Sequence, residues 1–427
     1  MYFKGQKFFV AGMSVSGEGS ARFLLERGAE VYVYDDLITD KISEVMDELC
    51  SLGAYKVTVD KWEEAAEKCD ILVLSPGIPI DNNLPVAFRK QGKTIIGEEE
   101  LAAMFLRATS VAVTGTNGKT TTVSMLNEVL NANGCNSVAC GNNGNPLIRE
   151  VENLGFNDYA VIEISSFQLE TLSSLRPHIA VVTNISEDHL NRHYNMDNYI
   201  FLKSKIMRNL RESEYVVLNY DDPVVRSFAN NTKAKVVYFS MQTRVDGAYF
   251  ENGNVCFNGE KYFALTDLTL NGVHNVYNAL ACVAAAGILK LDREKTGNAI
   301  CAFKGVRHRI EFVREVGGVA YVDDSKGTNV DASLKAAQSM AVPTVILLGG
   351  KDKGDDYVPL FEGLSSSPVV HAIIYGENRF KMLNAAIRAG FVGFSLCSEF
   401  RTAVKLAQFT AKPGQCVLLS PASSSFD

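Results

Sequence analysis

The sequence predicts an α/β protein of three consecutive blocks, each folded around a mostly parallel sheet. Two observations carry that reading. Short apolar strands alternate with helix-length segments almost throughout, and 427 residues exceed what one core serves at about 150 residues per domain. Composition agrees: hydrophobic residues are 47% and charged residues 21% of the chain, the balance of a globular protein and too apolar for a disordered one.

In the first block the apolar stretches 7–10, 31–34, 71–74 and 94–96 read as strands, and residues 17–27 as the first helix. Gly97, followed by Glu98, Glu99 and Glu100, opens a helix with acids in its first turn, where the dipole favours them. A boundary placed there, and a second near Gly305, divides the chain into residues 1–97, 98–304 and 305–427. The second block offers strands at 111–113, 160–164, 179–183, 215–218 and 236–239. Residues 247–265 alternate apolar and polar around Asn252-Gly253 and Asn258-Gly259, the pattern of a small antiparallel insertion. An Ala-rich helix over 275–289 closes the block, and the third block offers strands at 319–322, 344–348, 372–375, 393–396 and 416–419.

Lys plus Arg total 42 and Asp plus Glu 49, a net charge of -7. That balance argues against nucleic acid or an anionic membrane as a partner of the whole chain and leaves room for a local phosphate pocket. No apolar run approaches the ~18 residues of a membrane span. The lysines and apolar residues near the start read as a first strand rather than a signal peptide. Nine cysteines without a C-x-x-C fit the reduced thiols of a cytoplasmic protein.

The strongest chemical signal is Val111-Ala112-Val113-Thr114-Gly115-Thr116-Asn117-Gly118-Lys119-Thr120-Thr121, a strand, a Gly-containing turn and a helix start. Outward-pointing amides and Lys119 suit a phosphate there, and Thr120 would place a hydroxyl on Mg²⁺. The usual P-loop pattern has Gly where Val113 stands. A broken dinucleotide fingerprint spans Gly12-Met13-Ser14-Val15-Ser16-Gly17, with Asp35 and Asp36 ending the next strand. It supports a sugar-nucleotide phosphate as well as NAD. Glu163 ends a buried strand where a Walker-B type acid meets Mg²⁺, and Asn184 to His189 follow another, with His189 open as metal ligand, base or plain loop residue. Lys203 and Lys205, on a helix beginning near Asn198, read from the residues alone as solvated charges. In the third block Asp324 to Asn329, Gly349 to Gly354 and Ser420 to Ser425 fall just after strands and suggest a second ligand edge facing the phosphate loop.

Together these motifs resemble the Mur ligases of peptidoglycan synthesis, in the family's order over residues 12–427. The marks include Gly141-Asn142-Asn143-Gly144, Glu163-Ile164-Ser165-Ser166-Phe167-Gln168-Leu169-Glu170, Glu187-Asp188-His189, His274-Asn275 with Asn278, and His308-Arg309. The Ser-Ser-Phe-Gln-Leu-Glu run and the ending Ser425-Phe426-Asp427 look like the branch that adds D-glutamate. The resemblance implies a Rossmann-like N-terminal domain, a central P-loop-type ATPase domain and a C-terminal Rossmann-like parallel sheet. It implies that ATP phosphorylates the carboxylate of UDP-N-acetylmuramoyl-L-alanine and that the amine of D-glutamate attacks the acyl phosphate, in a cytoplasmic monomer.

Carried over by position, the resemblance implies that Gly115, Thr116, Asn117, Gly118, Lys119, Thr120 and Thr121, with Asn278, Arg309 and Asp324, meet ATP. Thr120, Glu163, His189 and a carbamylated Lys203 would hold Mg²⁺, with Lys119, Glu163, His189 and Lys203 at the chemistry. Val15, Ser16, Asp35, Asp36, Ser75 and Asn142 would meet the UDP substrate. Lys326, Thr328, Lys353, Ser425 and Phe426 would hold D-glutamate, with Lys351 competing for the place of Lys353. It also implies a native chain that continues beyond Asp427. The rival readings are a folylpolyglutamate synthase-like ligase, an NAD-dependent oxidoreductase and a P-loop binding module.

Overall fold

The computed structural model describes residues 2–270, 272–352 and 354–424. Three sheets follow one another along the chain. In the first, Tyr55–Lys56, Glu30–Tyr34, Lys7–Ala11, Ile71–Leu74 and Thr94–Ile96 lie in that order, all parallel. Strand order turns back between Lys7–Ala11 and Ile71–Leu74, so their carboxyl ends open a crevice of the kind that takes ligands. The exposed two-residue edge strand Tyr55–Lys56 carries no apolar run, which is why the sequence pattern passes over it.

The central sheet has nine strands. Thr109–Thr114 lies between Tyr159–Glu163 and Ile179–Val182, parallel to both, and the edge strand Ser137–Gly141 joins a set predicted without it. The two Asn-Gly turns form as expected: Asn252, Gly253, Asn258 and Gly259 all have positive φ, the requirement of a type I′ hairpin. Gly247–Glu251 pairs parallel to Lys235–Ser240 before the antiparallel strands Asn254–Phe257 and Glu260–Ala264 follow. The insertion is therefore an extension of the main sheet.

The third sheet runs Glu311–Val316, Val319–Asp323, Cys416–Leu419, Thr344–Gly350, Val369–Gly376 and Phe394–Leu396. It is parallel except for Glu311–Val316, whose mostly exposed residues escaped the apolar pattern. The strands that precede the three polar segments are immediate neighbours, so those segments share one edge.

One apolar cluster runs without a break from Phe8 and Val10 of the first sheet through Leu101 and Ala102 to Ala112, Ile162 and Val182 of the central sheet. Helix Glu98–Ala103 thus joins two sheets inside a common core. The third sheet keeps its own clusters, and the hydrogen bonds that tie it to the central sheet are polar ones made by Asn329 and Asp331. Among the described residues no helix is long and apolar enough to cross a membrane, and the nine cysteines are free.

Candidate active site

The turn after Thr109–Thr114 has the backbone that its glycines allow. Gly115 and Gly118 have φ of 141° and 84°, and a Cβ on Gly118 would lie 2.3 Å from Asn278 Oδ1. The loop is fixed from the neighbouring strand's end. Asn117 N donates to Asn184 Oδ1 (2.9 Å), and Thr183 Oγ1 and Asn184 Nδ2 donate to Asn117 O (2.7 and 3.0 Å). Thr116 Oγ1 donates to Ser186 O (3.0 Å) and lies 3.0 Å from Tyr199 Oη. Its side chain and the Thr116 and Asn117 amides therefore hold the loop together, leaving the amides at the start of helix Lys119–Ala132 and Lys119 itself for an anion.

Lys119 Nζ donates to Gly115 O and Thr116 O at 3.0 and 2.7 Å. Lys203 Nζ reaches the same Gly115 carbonyl at 2.8 Å and Thr114 Oγ1 at 3.2 Å. The expectation that Lys203 is a solvated charge is overturned. Tyr199 and Lys203 are the two buried residues of helix Met196–Ser204, and Lys203 is 1% exposed. Burial, then the charge of Lys119, drives its pKa well below the ordinary lysine value, opposed by Asp188 and Glu163. Burial also lowers Lys119. Two ammonium groups on one carbonyl repel strongly where water is scarce, which favours the neutral amine at Lys203 more than at Lys119.

Glu163 is buried. Its Oε1 accepts from Asn142 Nδ2 at 3.0 Å, and its Oε2 has no hydrogen-bond partner among the described residues. A buried carboxylate oxygen left open beside a phosphate loop is what a hard cation uses. Thr120 is buried at the start of helix Lys119–Ala132. His189 has φ 57°, packs on Phe167 with ring centres 4.7 Å apart and places Nε2 3.5 Å from Asp188 Oδ2.

A cavity of about 1470 Å³ opens between the central and third sheets, lined by Gly118, Thr121, Asn278, Arg309 and Asp324 among others. Arg309 Nε is buried with no acceptor among the described residues, a donor suited to phosphate oxygen. Asp324 Oδ2 accepts from Ser420 Oγ at 2.6 Å, and burial raises its pKa to about 6. Lys326 is partly buried, its pKa lowered by burial and by Arg309. Thr328 N donates to Lys326 O at 3.0 Å, and Lys351 N donates to Ser424 O at 2.9 Å. Lys353, Ser425 and Phe426 lie outside the described residues.

At the crevice of the first sheet, Ser75 Oγ donates to Gly12 O (2.8 Å). Asp35 spends its oxygens on the turn, accepting from Met13 N (2.7 Å) and Leu37 N (3.0 Å). Val15 and Asp36 are exposed at the mouth, and Ser16 is half-buried there. The sequence reading gave no role to three groups at the seam. Asn117 Nδ2 donates to Asp331 Oδ2 at 2.6 Å, Asn329 Nδ2 donates to Asp188 Oδ2 at 3.0 Å, and Lys335 pairs with Asp331 at 2.8 Å. Their one sequence signal was position, since Asn329 caps helix Val330–Gln338 directly after the Asp324 run.

Comparison with known families divides the chain by sheet. Residues 6–97 match the MurD-like N-terminal domain of Mur ligases, residues 113–286 the Mur ligase middle domain and residues 308–423 the Mur ligase glutamate ligase domain. The chain is 38% identical to UDP-N-acetylmuramoylalanine--D-glutamate ligase of Clostridioides difficile (strain 630), over 100% of this chain and 96% of that protein. It is 40% identical to the enzyme of the same name from Thermoanaerobacter sp. (strain X514), over 100% and 95%. In fold it is similar to UDP-N-acetylmuramate-alanine ligase from Thermotoga maritima (TM-score 0.65, 19% identity, 98% and 96% of the chains covered). It is likewise similar to MurF from Acinetobacter baumannii (TM-score 0.64, 19% identity, 93% and 88%).

Proposed function

Because the chain belongs to the Mur ligase family, we propose that it joins D-glutamate to UDP-N-acetylmuramoyl-L-alanine with ATP as the driving reagent. The observation that carries this is convergence: the Gly115 to Thr121 loop, Glu163 and Lys203 meet at one sheet edge, across a cavity from Arg309 and Asp324. A carboxylate resists nucleophiles because of its charge, and phosphorylation removes that charge while supplying a leaving group. The γ-phosphoryl passes from ATP to the substrate carboxylate, the D-glutamate amine attacks the acyl carbon, and phosphate departs. Lys119, the loop amides and Arg309 hold the phosphates in line, so catalysis is mainly positioning and charge stabilisation.

Mg²⁺, when bound, would neutralise phosphate charge. Thr120 and Glu163 suit one ion, and His189 with Lys203 a second, once Lys203 is a carbamate. Its neutral amine adds to CO₂ with loss of a proton, giving a carbamate of charge -1 with the oxygen donors that Mg²⁺ prefers. The same step sets a carbamate of charge -1 beside the Lys119 ammonium, an attraction where a charged Lys203 would repel. Val15, Ser16, Asp35, Asp36, Ser75 and Asn142 are assigned to the UDP substrate, and Lys326 and Thr328 with Lys353, Ser425 and Phe426 to D-glutamate. We read the protein as a cytoplasmic monomer, its cysteines without a C-x-x-C being the usage of reduced thiols.

The purified protein is expected to release phosphate from ATP only when both UDP-N-acetylmuramoyl-L-alanine and D-glutamate are present. Equal turnover with L-glutamate, or with a folate in place of the sugar peptide, would overturn the reading. The Asn117–Asp331 contact holds the third sheet against the phosphate loop. Asp331→Ala, measured by steady-state kinetics beside thermal melting, is expected to lower kcat/KM about tenfold, the loss of one charge-assisted bond. Its melting temperature should change little, because each side keeps its own core.

A further inference from the structure

Glu98, Glu99 and Glu100 open the helix that joins the first and central sheets, and they are 1%, 1% and 3% exposed. A helix dipole accounts for acids in a first turn that faces water, not for three in an apolar core. Carboxylates survive burial only when their oxygens are supplied with donors. Glu100 is supplied, accepting from Ser173 N (2.7 Å), Ser174 N (2.8 Å) and Ser173 Oγ (2.8 Å). Glu98 Oε1 accepts from Ile148 N at 2.6 Å, but its Oε2 is buried with no hydrogen-bond partner among the described residues. Glu99 Oε1 accepts from Gln168 Nε2. Glu98 and Glu99 are neighbours on one helix, both buried, with Glu98 Oε2 unsatisfied, and two adjacent carboxylates in a core do not both keep their charge.

Gln168 connects this pair to the site. An amide has one donor end and one acceptor end. With Nε2 turned to Glu99, Oε1 accepts from Ser165 N and Ser165 Oγ at 2.8 and 2.9 Å, and Ser165 N-caps helix Ser166–Thr171 two positions beyond Glu163. The flipped amide would set its NH₂ against the Ser165 N–H, a donor against a donor.

We propose that Glu98 and Glu99 are a one-proton pair that orients Gln168 and so fixes the Ser165 end of the Glu163 loop, which makes Glu99 a positioning residue for the UDP substrate. The inference rests on the reading of that loop as part of the ligase site. Burial raises both acids, Glu99 the further because Glu98 faces it. The other groups facing the pair are Arg149, which favours the charge on Glu98, and the Cys140 thiol with Glu150 beside it. Glu100 stands next on the same helix, with Lys205 near it.

Glu99 keeps its proton to higher pH in the folded chain than in the unfolded one. The pair's stabilisation is therefore full in acid and is lost as pH rises from the ordinary carboxylate range toward the raised value. Glu99→Gln carries a permanent donor in the same shape. Thermal melting of the free protein between about pH 6 and 9, a span above the ordinary carboxylate range, is expected to fall less steeply in Glu99→Gln than in the parent. At neutral pH its kcat/KM should stay within about twofold of the parent, whereas Glu99→Ala raises KM for the UDP substrate about tenfold with a smaller change in kcat. Gln168→Leu, which keeps the acids and removes the amide, should give the same KM rise if Glu99→Ala does not fold. Equal melting slopes in parent and Glu99→Gln would overturn the shared proton. An unchanged KM in folded Glu99→Ala or Gln168→Leu would overturn the positioning role. If the parent does not turn over the UDP substrate, the ligase reading fails instead, and the melting slopes still decide the pair.

Discussion

Replacing Lys119 with alanine is expected to abolish ATP-dependent turnover, with kcat falling at least about 10³-fold, as when a preorganised charge is taken from phosphoryl transfer. The ammonium is held by the Gly115 and Thr116 carbonyls, so its position is set before any phosphate arrives and little reorganisation is left for the reaction. Arginine should not restore activity, because a planar fork cannot occupy a seat made for a point charge between two carbonyls of one tight turn. The change should not unfold the protein. Lys119 is itself buried and its ammonium costs desolvation, so alanine removes that cost along with the two bonds to loop carbonyls. Phosphate release measured beside thermal melting separates the two effects, and turnover retained in a folded Lys119→Ala would discard the phosphate-loop reading.

The second large effect is expected at Lys203. Lys203→Ala should lose about 10²-fold or more in kcat, the scale of removing one electrostatic group from a site of this kind. Short-chain carboxylic acids should restore part of it by filling the space with carboxylate oxygens. A structural lysine would show no such rescue. A neutral amine is also the form that takes up CO₂, and burial keeps Lys203 neutral to lower pH than an exposed lysine. As pH falls through that lowered value the amine becomes charged, so bicarbonate dependence of the activity should sharpen in acid and fade in alkali. Full activity in Lys203→Ala, or loss without rescue in a folded protein, would remove the carbamate from the mechanism.

Much of this was legible in the residues, for reasons of period and punctuation. The parallel strands show as apolar runs because both faces of each sheet are covered, and the Asn-Gly turns show because their backbone demands positive φ. The edge strands Tyr55–Lys56 and Glu311–Val316 do not, since an element that buries little carries little pattern. The strand, turn and helix around Gly115 to Lys119 were readable as a local motif. Lys203 was not readable without a family resemblance, because helix Met196–Ser204 is too mixed in polarity to mark a buried face. Glu98 to Glu100 misled in the other direction. A first-turn rule written for solvent accounted for their charge, while the continuous core around Leu101 and Ala102 takes them inside. Asp331 carries no local signal and Asn329 only its place in the Asp324 run, since their partners Asn117 and Asp188 stand more than 140 positions away.

Gly118 has a bearing on how the chain is made as well as on what it binds. The wall that confines it is Asn278, and the same late helix, Val273–Ile288, packs beside the helix that starts at Lys119: Thr122 Oγ1 donates to Asn278 Oδ1 (3.3 Å), and Cys282 Sγ to Thr122 O (3.4 Å). The Gly115 to Thr121 loop is therefore completed by residues synthesised some 160 positions after it. A nascent chain that has displayed its most recognisable motif still leaves the apolar face of that first helix uncovered until the late helix emerges. Closing so long a loop is slow by its topology. The hairpins at Asn252 and Asn258 fold locally within that gap, so the edge of the sheet is built before its centre is sealed.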